Sequence, residues 1–282
     1  MKSLWLVVYV AVYAIALTLL AVFETFNVVE PLFVLIVIGG GFTFLAWLVT
    51  RRVTPLEGVA MRAPWPAVVV YFLALTAVVT WGFSLVPNEL VKAGVKLLAF
   101  VLVPIVAFRM RLPLRMNGRD AAIVAFFFVV MTLFQFGFGS GLRKIASTNL
   151  HGGTLVLAVL ASFLWMSIEA GLVEEVAFRA LLQTRLEETT RSAAGGIVVS
   201  ALLFALIHAP GLFLRTAATG ESFTNPSLLY AIGYAITILS PMGLFFGYLW
   251  HRTRNLLVIV LVHGAVDTIP HTEEVARALG LV

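Results

Sequence analysis

Long apolar stretches recur along the whole chain and constrain its fold more than any other feature. About 20 apolar residues are enough for a helix to cross the hydrocarbon core of a bilayer. Stretches near that length, some of them short or broken by glycine, lie near residues 4–23, 31–50, 65–86, 93–108, 121–139, 153–180, 193–208, 227–250 and 255–269. Because backbone groups in lipid must form hydrogen bonds within their own segment, such stretches become helices. We therefore expect an all-α polytopic membrane protein, a bundle of eight or nine transmembrane helices with an intramembrane polar cavity.

The composition agrees with a membrane protein and argues against other classes. Hydrophobic residues make up 61% of the chain and charged residues 12%, which is about half the charged fraction of an average soluble domain. The chain has no cysteine, which excludes disulfides and thiolate metal sites. The net charge is +5, but the arginines fall in short loops between apolar stretches, so we expect no nucleic-acid partner and take the lipid bilayer as the partner.

The basic loops predict an orientation in the cell membrane. With nine crossings and a cytoplasmic N-terminus, most lysines and arginines fall in cytoplasmic segments, as the positive-inside rule requires. The first apolar stretch follows Lys2, and we interpret it as an uncleaved anchor. No linker or repeat divides the chain, so we treat residues 1–282 as one integral membrane domain. Within it, the helices of residues 1–150 have no assigned role and residues 153–270 form the core that carries the motifs.

Two adjacent glutamates and an arginine interrupt one apolar stretch, GLVEEVAFRALL at residues 171–182. On a helix, Glu175 and Arg179 are four residues apart and share a face, so they can form an ion pair. Glu174 points about 100° away and lies over Phe178. An ion pair at a helix end explains Glu175 and Arg179 but leaves Glu174 unexplained. An unpaired carboxylate within a membrane helix indicates a functional site.

A histidine follows a run of small residues in the stretch FALIHAPG at residues 204–211. Taken alone, His208 is more often a packing or capping residue than a catalyst. At the helical rise, Glu174 lies about 21 Å before a turn near residue 188, and His208 lies about 22 Å past the start of the next helix. In an antiparallel hairpin the two residues reach the same depth, which favours a shared site.

A second histidine is followed by an aspartate in the stretch VLVHGAVDTIP at residues 260–270. His263 and Asp267 are four residues apart and share a helical face. A histidine whose proton is held by a neighbouring carboxylate is enough to explain this spacing without a catalytic role. A third polar cluster inside a membrane helix still needs polar surroundings. We therefore expect one water-containing cavity lined by four side chains: Glu174, His208, His263 and Asp267.

These polar groups are suited to hydrolysis of an amide or ester. A carboxylate and an imidazole at one depth can hold and deprotonate a water, while a second polar pair stabilises the developing oxyanion. The HExxH, Gly-x-Ser-Gly and GxGD signatures of other intramembrane hydrolases are missing. Glu169, a further carboxylate on the Glu174 helix, either lines the mouth of the cavity or pairs with Lys96.

Three motifs in successive apolar helices resemble those of a known family. The motifs are Glu174-Glu175-x-x-x-Arg179, Phe204-x-x-x-His208 and His263-x-x-x-Asp267. They are similar to EExxxR, FxxxH and HxxxN/D of the CPBP intramembrane proteases, called glutamic or metalloprotease-like. The family includes the Ras-converting CAAX prenyl endopeptidase and bacteriocin-processing and self-immunity relatives. The resemblance covers residues 171–267 and implies an intramembrane endopeptidase that acts on a membrane-associated, C-terminal or leader peptide, prenylated or not.

The resemblance also implies a role for each motif residue. Glu174 and His208 would activate the water, and His263 with Asp267 would form the oxyanion side. The remaining motif residues would support the site structurally: Glu175, Arg179 and Phe204. The family implies no cofactor, and zinc bound by the same two histidines and two carboxylates, Glu174 and Asp267, is the alternative that this donor set leaves open.

Two positions depart from the family pattern. Ala180 stands where many relatives have Gly, and Asp267 stands where the better-studied CAAX enzymes have Asn. An ionised Asp267 would repel an oxyanion. It is therefore either protonated or holds His263 as a cationic donor, and the spacing favours the second role.

Access and alternative functions complete these expectations. His263 lies about 12 Å along its helix from Asn255, so we expect the site to open toward the cytoplasm. The alternative function is a catalytically silent family member that acts as a membrane scaffold or immunity factor. A proton-coupled transporter is less favoured because the sequence shows no inverted repeat.

Overall fold

A computed structural model describes residues 2–22, 27–82, 88–219 and 227–282. These residues form ten helices, which in chain order are α1 (Ser3–Ala21), α2 (Val29–Thr50), α3 (Trp65–Thr80), α4 (Leu90–Ala107), α5 (Gly118–Gly137), α6 (Gly141–Ser147), α7 (Gly152–Thr190), α8 (Ala193–Leu214), α9 (Leu228–Thr253) and α10 (Leu256–Ala278). All of them except α3 and α6 are long and apolar enough to cross a membrane, and α3 is apolar but shorter. The prediction of an all-α polytopic bundle is confirmed.

Burial differs sharply between the helices of this bundle. In their most apolar stretches, α9 and α10 have 50% and 61% of their residues buried, whereas α2 and α4 have 17% each. The outward faces of the early helices carry exposed apolar side chains such as Leu6 and Leu73, which suits contact with lipid chains. The later helices form the protein core, and all three motifs lie on them.

Helix α7 ends in a tight antiparallel hairpin with α8. It runs on to Thr190, and Arg191 turns the chain with a left-handed φ of 49°. The Ser192 hydroxyl accepts a hydrogen bond from the backbone of Gly195 and so caps the start of α8. The predicted reversal just beyond residue 188 is confirmed.

Helix α7 is not a uniform α-helix around the motif. Its turns widen to π-helical geometry at Ser167–Leu172 and again at Val176–Gln183, which leaves Val173–Glu175 as a single α turn. The Thr184 hydroxyl donates to the Arg179 carbonyl five residues earlier. Segments of this kind often mark functional sites. The regular helix assumed for the predicted faces is therefore wrong in detail, although Glu175 and Arg179 remain in contact.

Close packing of α7 against α10 brings two of the motifs together. A Cβ atom at Gly171 would lie 2.5 Å from the carbonyl oxygen of Val260, so only glycine fits there without a shift of backbone. Gly264 lies just as tightly against Ser167 on the opposite helix. Small residues permit such approach between membrane helices. The result is that the two glutamates of α7 lie beside His263 of α10.

Candidate active site

Glu174 of α7 and His208 of α8 face each other across the hairpin. The distance from Glu174 Oε1 to His208 Nε2 is 3.7 Å, and the two side chains are 21% and 29% exposed. The matched depth expected from the helical rise is confirmed. Neither of these two side chains is therefore sealed inside the protein core.

The proton position on His208 follows from its second partner. Nδ1 lies 2.7 Å from the backbone carbonyl oxygen of Phe204, one turn earlier on α8. A carbonyl only accepts hydrogen bonds, so Nδ1 carries the proton. In the neutral ring Nε2 is then the unprotonated nitrogen, and it is the nitrogen that faces Glu174. The Phe204 ring also contacts the imidazole, with centroids 4.9 Å apart.

His263 lies among three carboxylates. Its Nδ1 is 2.7 Å from Glu175 Oε1, and its Nε2 is 3.4 Å from Asp267 Oδ2 and 3.8 Å from Glu174 Oε2. Because an ionised carboxylate only accepts hydrogen bonds, a ring with a proton on each nitrogen satisfies these neighbours best. Glu174 therefore contacts both histidines, one through each of its oxygens. The predicted contact between His263 and Asp267 is confirmed.

Glu175 has a closer partner than the one the sequence assigned to it. Its Oε2 lies 3.4 Å from Arg179 Nε, as the four-residue spacing predicts. Its other oxygen makes the shorter contact, to His263 on α10. The predicted Glu175–Arg179 pair is confirmed, and the contact to His263 adds to it. Helical spacing could not predict that second contact, because it registers only neighbours on the same helix. Glu175 is completely buried and orients His263.

Aromatic rings enclose the buried Arg179 guanidinium. Its Cζ lies 4.8 Å from the Phe204 ring centroid and 5.8 Å from that of Phe246. Among the described residues, its nitrogens have no hydrogen-bond partner. Phe246 in turn stacks on His263, with centroids 4.4 Å apart and planes 19° apart. Sequence reasoning missed Phe246, because one phenylalanine in an apolar stretch carries no signal of its own.

The open question about Glu169 is answered by the fold. Its carboxylate forms an ion pair with Lys96 of α4, so the pairing alternative is confirmed. This pair joins an early helix to α7. The four residues expected to line one cavity are brought together, while a water-filled cavity between them stays a prediction.

The comparisons with known proteins agree with the motifs. Residues 155–269 match the family model described as Rce1-like, type II CAAX prenyl endopeptidase. The CAAX-protease resemblance is confirmed. The Rce1-like segment starts within α7, ends within α10 and contains all three motifs. No curated protein and no solved structure matches the chain.

The arrangement of the histidine and carboxylate side chains in the Rce1-like segment bears on the zinc alternative. Within the described ranges, no group of three or more His, Asp or Glu side chains is arranged to hold a metal ion. The distances between the site carboxylates and the two histidines are 2.7–3.8 Å between nitrogen and oxygen. The mechanism proposed below uses these side chains without a metal, and zinc stays an alternative that chelation tests.

Proposed function

We propose that this protein is an intramembrane endopeptidase of the glutamic type, in which Glu174 and His208 activate a water. The Rce1-like match supports the endopeptidase class. The observation that carries the assignment of residues is the carboxylate of Glu174 facing the unprotonated nitrogen of His208 on the neighbouring helix.

The gap between these two groups accommodates the nucleophile. A separation of 3.7 Å is longer than a direct hydrogen bond. Ionised Glu174 and Nε2 of neutral His208 are both acceptors, so neither satisfies the other. A water that donates one hydrogen to each satisfies both. When this water attacks the peptide carbonyl carbon, its proton passes to the pair, which then returns a proton to the leaving amine.

The opposite side of the site stabilises the charge that the attack creates. Attack places negative charge on the former carbonyl oxygen, and a preformed donor for that charge lowers the barrier. His263 supplies the Nε2–H group, and Glu175 keeps the ring protonated and oriented through Nδ1. Asp267 contacts the same Nε2 before substrate enters, and we propose that the substrate oxygen takes its place. The charge-holding role expected of Asp267 then falls first to Glu175.

The family match and the membrane location support a proposal for the substrate class. Type II CAAX prenyl endopeptidase is the description of the matched family, so we propose a prenylated C-terminal peptide as the first substrate class. An unprenylated leader peptide is the second. In the proposed orientation the protein crosses the cell membrane several times with a cytoplasmic N-terminus, and the site opens toward the cytoplasm.

A reconstituted assay with two variants tests this proposal. Purified wild type, Glu174→Gln and Glu169→Gln are incubated in liposomes with a farnesylated peptide that ends in a C-a-a-X sequence, and products are identified by mass spectrometry. We expect wild type to release the last three residues. Glu174→Gln should lose about 10²–10⁴-fold in rate, the usual contribution of a general base. Glu169→Gln removes a carboxylate of the same helix whose described partner is Lys96 and neither histidine, and it should keep most activity.

Two outcomes would go against the proposal. Cleavage by Glu174→Gln at the wild-type rate would remove Glu174 from the chemistry. If wild type cleaves neither the farnesylated peptide nor the same peptide without the lipid, and Glu174→Gln leaves the cellular phenotype intact, the protein is a catalytically silent scaffold or immunity factor.

A further inference from the structure

Two loops at one end of the bundle pair with each other and form a basic pocket. Residues 51–64 join α2 to α3, and residues 108–117 join α4 to α5. The backbone N–H of Arg111 donates to the Ala60 carbonyl at 2.9 Å, and that of Arg62 donates to the Phe108 carbonyl at 2.8 Å. The pairing is antiparallel, with an isolated bridge between Ala60 and Arg111.

Burial separates the side chains of the paired loops into two sets. Val59, Ala63, Phe108 and Met110 are buried against the bundle. Arg109 turns the chain with a left-handed φ of 49°, and its side chain is exposed between two buried neighbours. The exposed set contains three arginines: Arg62, Arg109 and Arg111. With Ala60 and Met61 they line a pocket of about 370 Å³.

These three guanidinium groups differ from four arginines near the same end that have partners. Nearby arginines are engaged: Arg115 with Asp120, Arg119 with the Arg52 carbonyl, Arg252 with the Thr50 carbonyl and Arg254 with Glu187. Within the described residues, no hydrogen bond or ion pair neutralises the guanidinium groups of Arg62, Arg109 and Arg111. Three like charges around one pocket repel one another unless an anion lies between them.

The pocket lies where the apolar helices end. Both loops connect helices that are apolar along their length, so they lie at the level of the lipid headgroups. Trp65 begins α3 beside the pocket and donates its Nε1–H to the Thr189 hydroxyl. Tryptophan is enriched at this boundary because its ring faces the acyl chains while its N–H stays in polar surroundings.

We propose that this pocket binds the anionic headgroup of a membrane phospholipid. Arginine forks match phosphate oxygens in geometry and charge, and three of them converge on a space of suitable size for a headgroup. Ala60 and Met61 give the pocket an apolar wall that a glycerol backbone or an acyl chain can contact. The proposed orientation places the pocket at the cytoplasmic leaflet, where anionic lipids concentrate. The site is separate from the proposed catalytic residues and does not depend on them.

Native mass spectrometry of the full chain tests the proposal directly. The detergent-purified protein is titrated with phosphatidylglycerol, with phosphatidylcholine and with inorganic phosphate. The pocket variant carries Arg62→Gln, Arg109→Gln and Arg111→Gln. The matched control carries Arg51→Gln, Arg52→Gln and Arg191→Gln, which removes the same charge from exposed arginines outside the pocket. A third variant, with lysine at the three pocket positions, keeps the charge and reveals whether folding limits the result.

We expect wild type and the control to bind phosphatidylglycerol more tightly than phosphatidylcholine. In the pocket variant this preference should fall at least about tenfold, since each basic group near the surface strengthens anionic lipid binding. The lysine variant should keep part of the preference. Equal losses in the glutamine variants of pocket and control would overturn the proposal in favour of diffuse attraction. An unchanged pocket variant would also overturn it, as would displacement of the lipid by inorganic phosphate at equal concentration, which indicates a site for a soluble anion.

Discussion

The two histidines of the site are held in opposite ways. His208 donates to a backbone carbonyl and keeps Nε2 open toward Glu174, with 29% of its side chain exposed. His263 contacts the buried carboxylate of Glu175, stacks on Phe246 and is only 6% exposed. One ring can exchange a proton with a water, whereas the other is fixed in a form that donates.

This difference shows how histidine can serve in one site both as a proton acceptor and as a fixed hydrogen-bond donor. The second partner of an imidazole decides which nitrogen carries a proton and whether the ring is neutral. A neutral carbonyl acceptor on Nδ1 leaves the His208 ring neutral, with Nε2 able to act as a base. A carboxylate acceptor on Nδ1 favours a cationic His263 ring, whose Nε2–H group can donate a hydrogen bond. The adjacent glutamates repeat the pattern, because Glu174 is partly exposed and meets both histidines while Glu175 is completely buried and paired. The predictions below test this division, from the largest effect to the smallest.

Removal of the open histidine should have the largest effect. His208→Ala deletes half of the proposed base pair, and we expect cleavage of the farnesylated peptide to fall about 10²–10⁴-fold. His151→Ala is the control, since His151 is exposed and lies outside the motifs. Single-turnover rates in liposomes give the comparison. If both variants retained wild-type rates, His208 would not be the base.

Loss of the buried glutamate should affect stability as well as rate. Glu175→Gln removes the anion that orients His263 and leaves the Arg179 charge buried without its counterion. Loss of one partner of a buried pair typically costs about 3–5 kcal/mol, and loss of an orienting group about 10–100-fold in activity. Glu174→Gln should lower the rate without this loss of stability, because Glu174 is partly exposed.

Thermal unfolding of the Glu174→Gln and Glu175→Gln variants in one detergent separates the two glutamates. A lower unfolding temperature for Glu175→Gln alone supports the division of roles. Equal unfolding temperatures, together with equal rates, would show that the adjacent glutamates are interchangeable and would contradict the division.

Substitution of Asp267, the partly exposed acid beside His263, should have a small effect. In Asp267→Asn the amide still contacts Nε2, and Glu175 still holds the ring through Nδ1. We expect kcat/KM to stay within about tenfold of wild type, below the 10²–10³-fold loss typical of an oxyanion donor. A loss beyond about 100-fold would assign the charge-holding role to Asp267 and weaken the one given to Glu175.

Hydropathy predicted most of the fold because every segment that crosses lipid must be apolar and must form its backbone hydrogen bonds internally. Each of the nine apolar stretches has a helical counterpart among the described residues, and the last part of the stretch at residues 65–86 lies outside them. The hairpin after α7 was also predictable, since the polar residues 184–192 separate two apolar stretches. The π-helical turns were not, because no residue type in Ser167–Leu172 or Val176–Gln183 signals them.

The site was predictable only where its contacts follow the helical repeat. The rise along two antiparallel helices placed Glu174 opposite His208, and the four-residue spacing placed Asp267 beside His263. The Glu175–His263 contact joins residues 88 apart in sequence, and it depends on the glycine contacts that bring α10 close to α7. The basic pocket also escaped prediction, since it depends on the pairing of two loops that are distant in sequence.

Chelation should have the smallest effect of all. If Glu174 and His208 share a water and His263 is held by Glu175, the lone pairs that zinc needs are already engaged. We therefore expect cleavage of the farnesylated peptide to be unchanged after dialysis against a strong zinc chelator, with metal content measured in the same samples by mass spectrometry. A loss of activity that added zinc restores, in wild type but not in His263→Ala, would replace the two-histidine division by a metal centre. Unchanged activity in a sample without zinc leaves proton transfer by Glu174 and His208 as the source of the nucleophile.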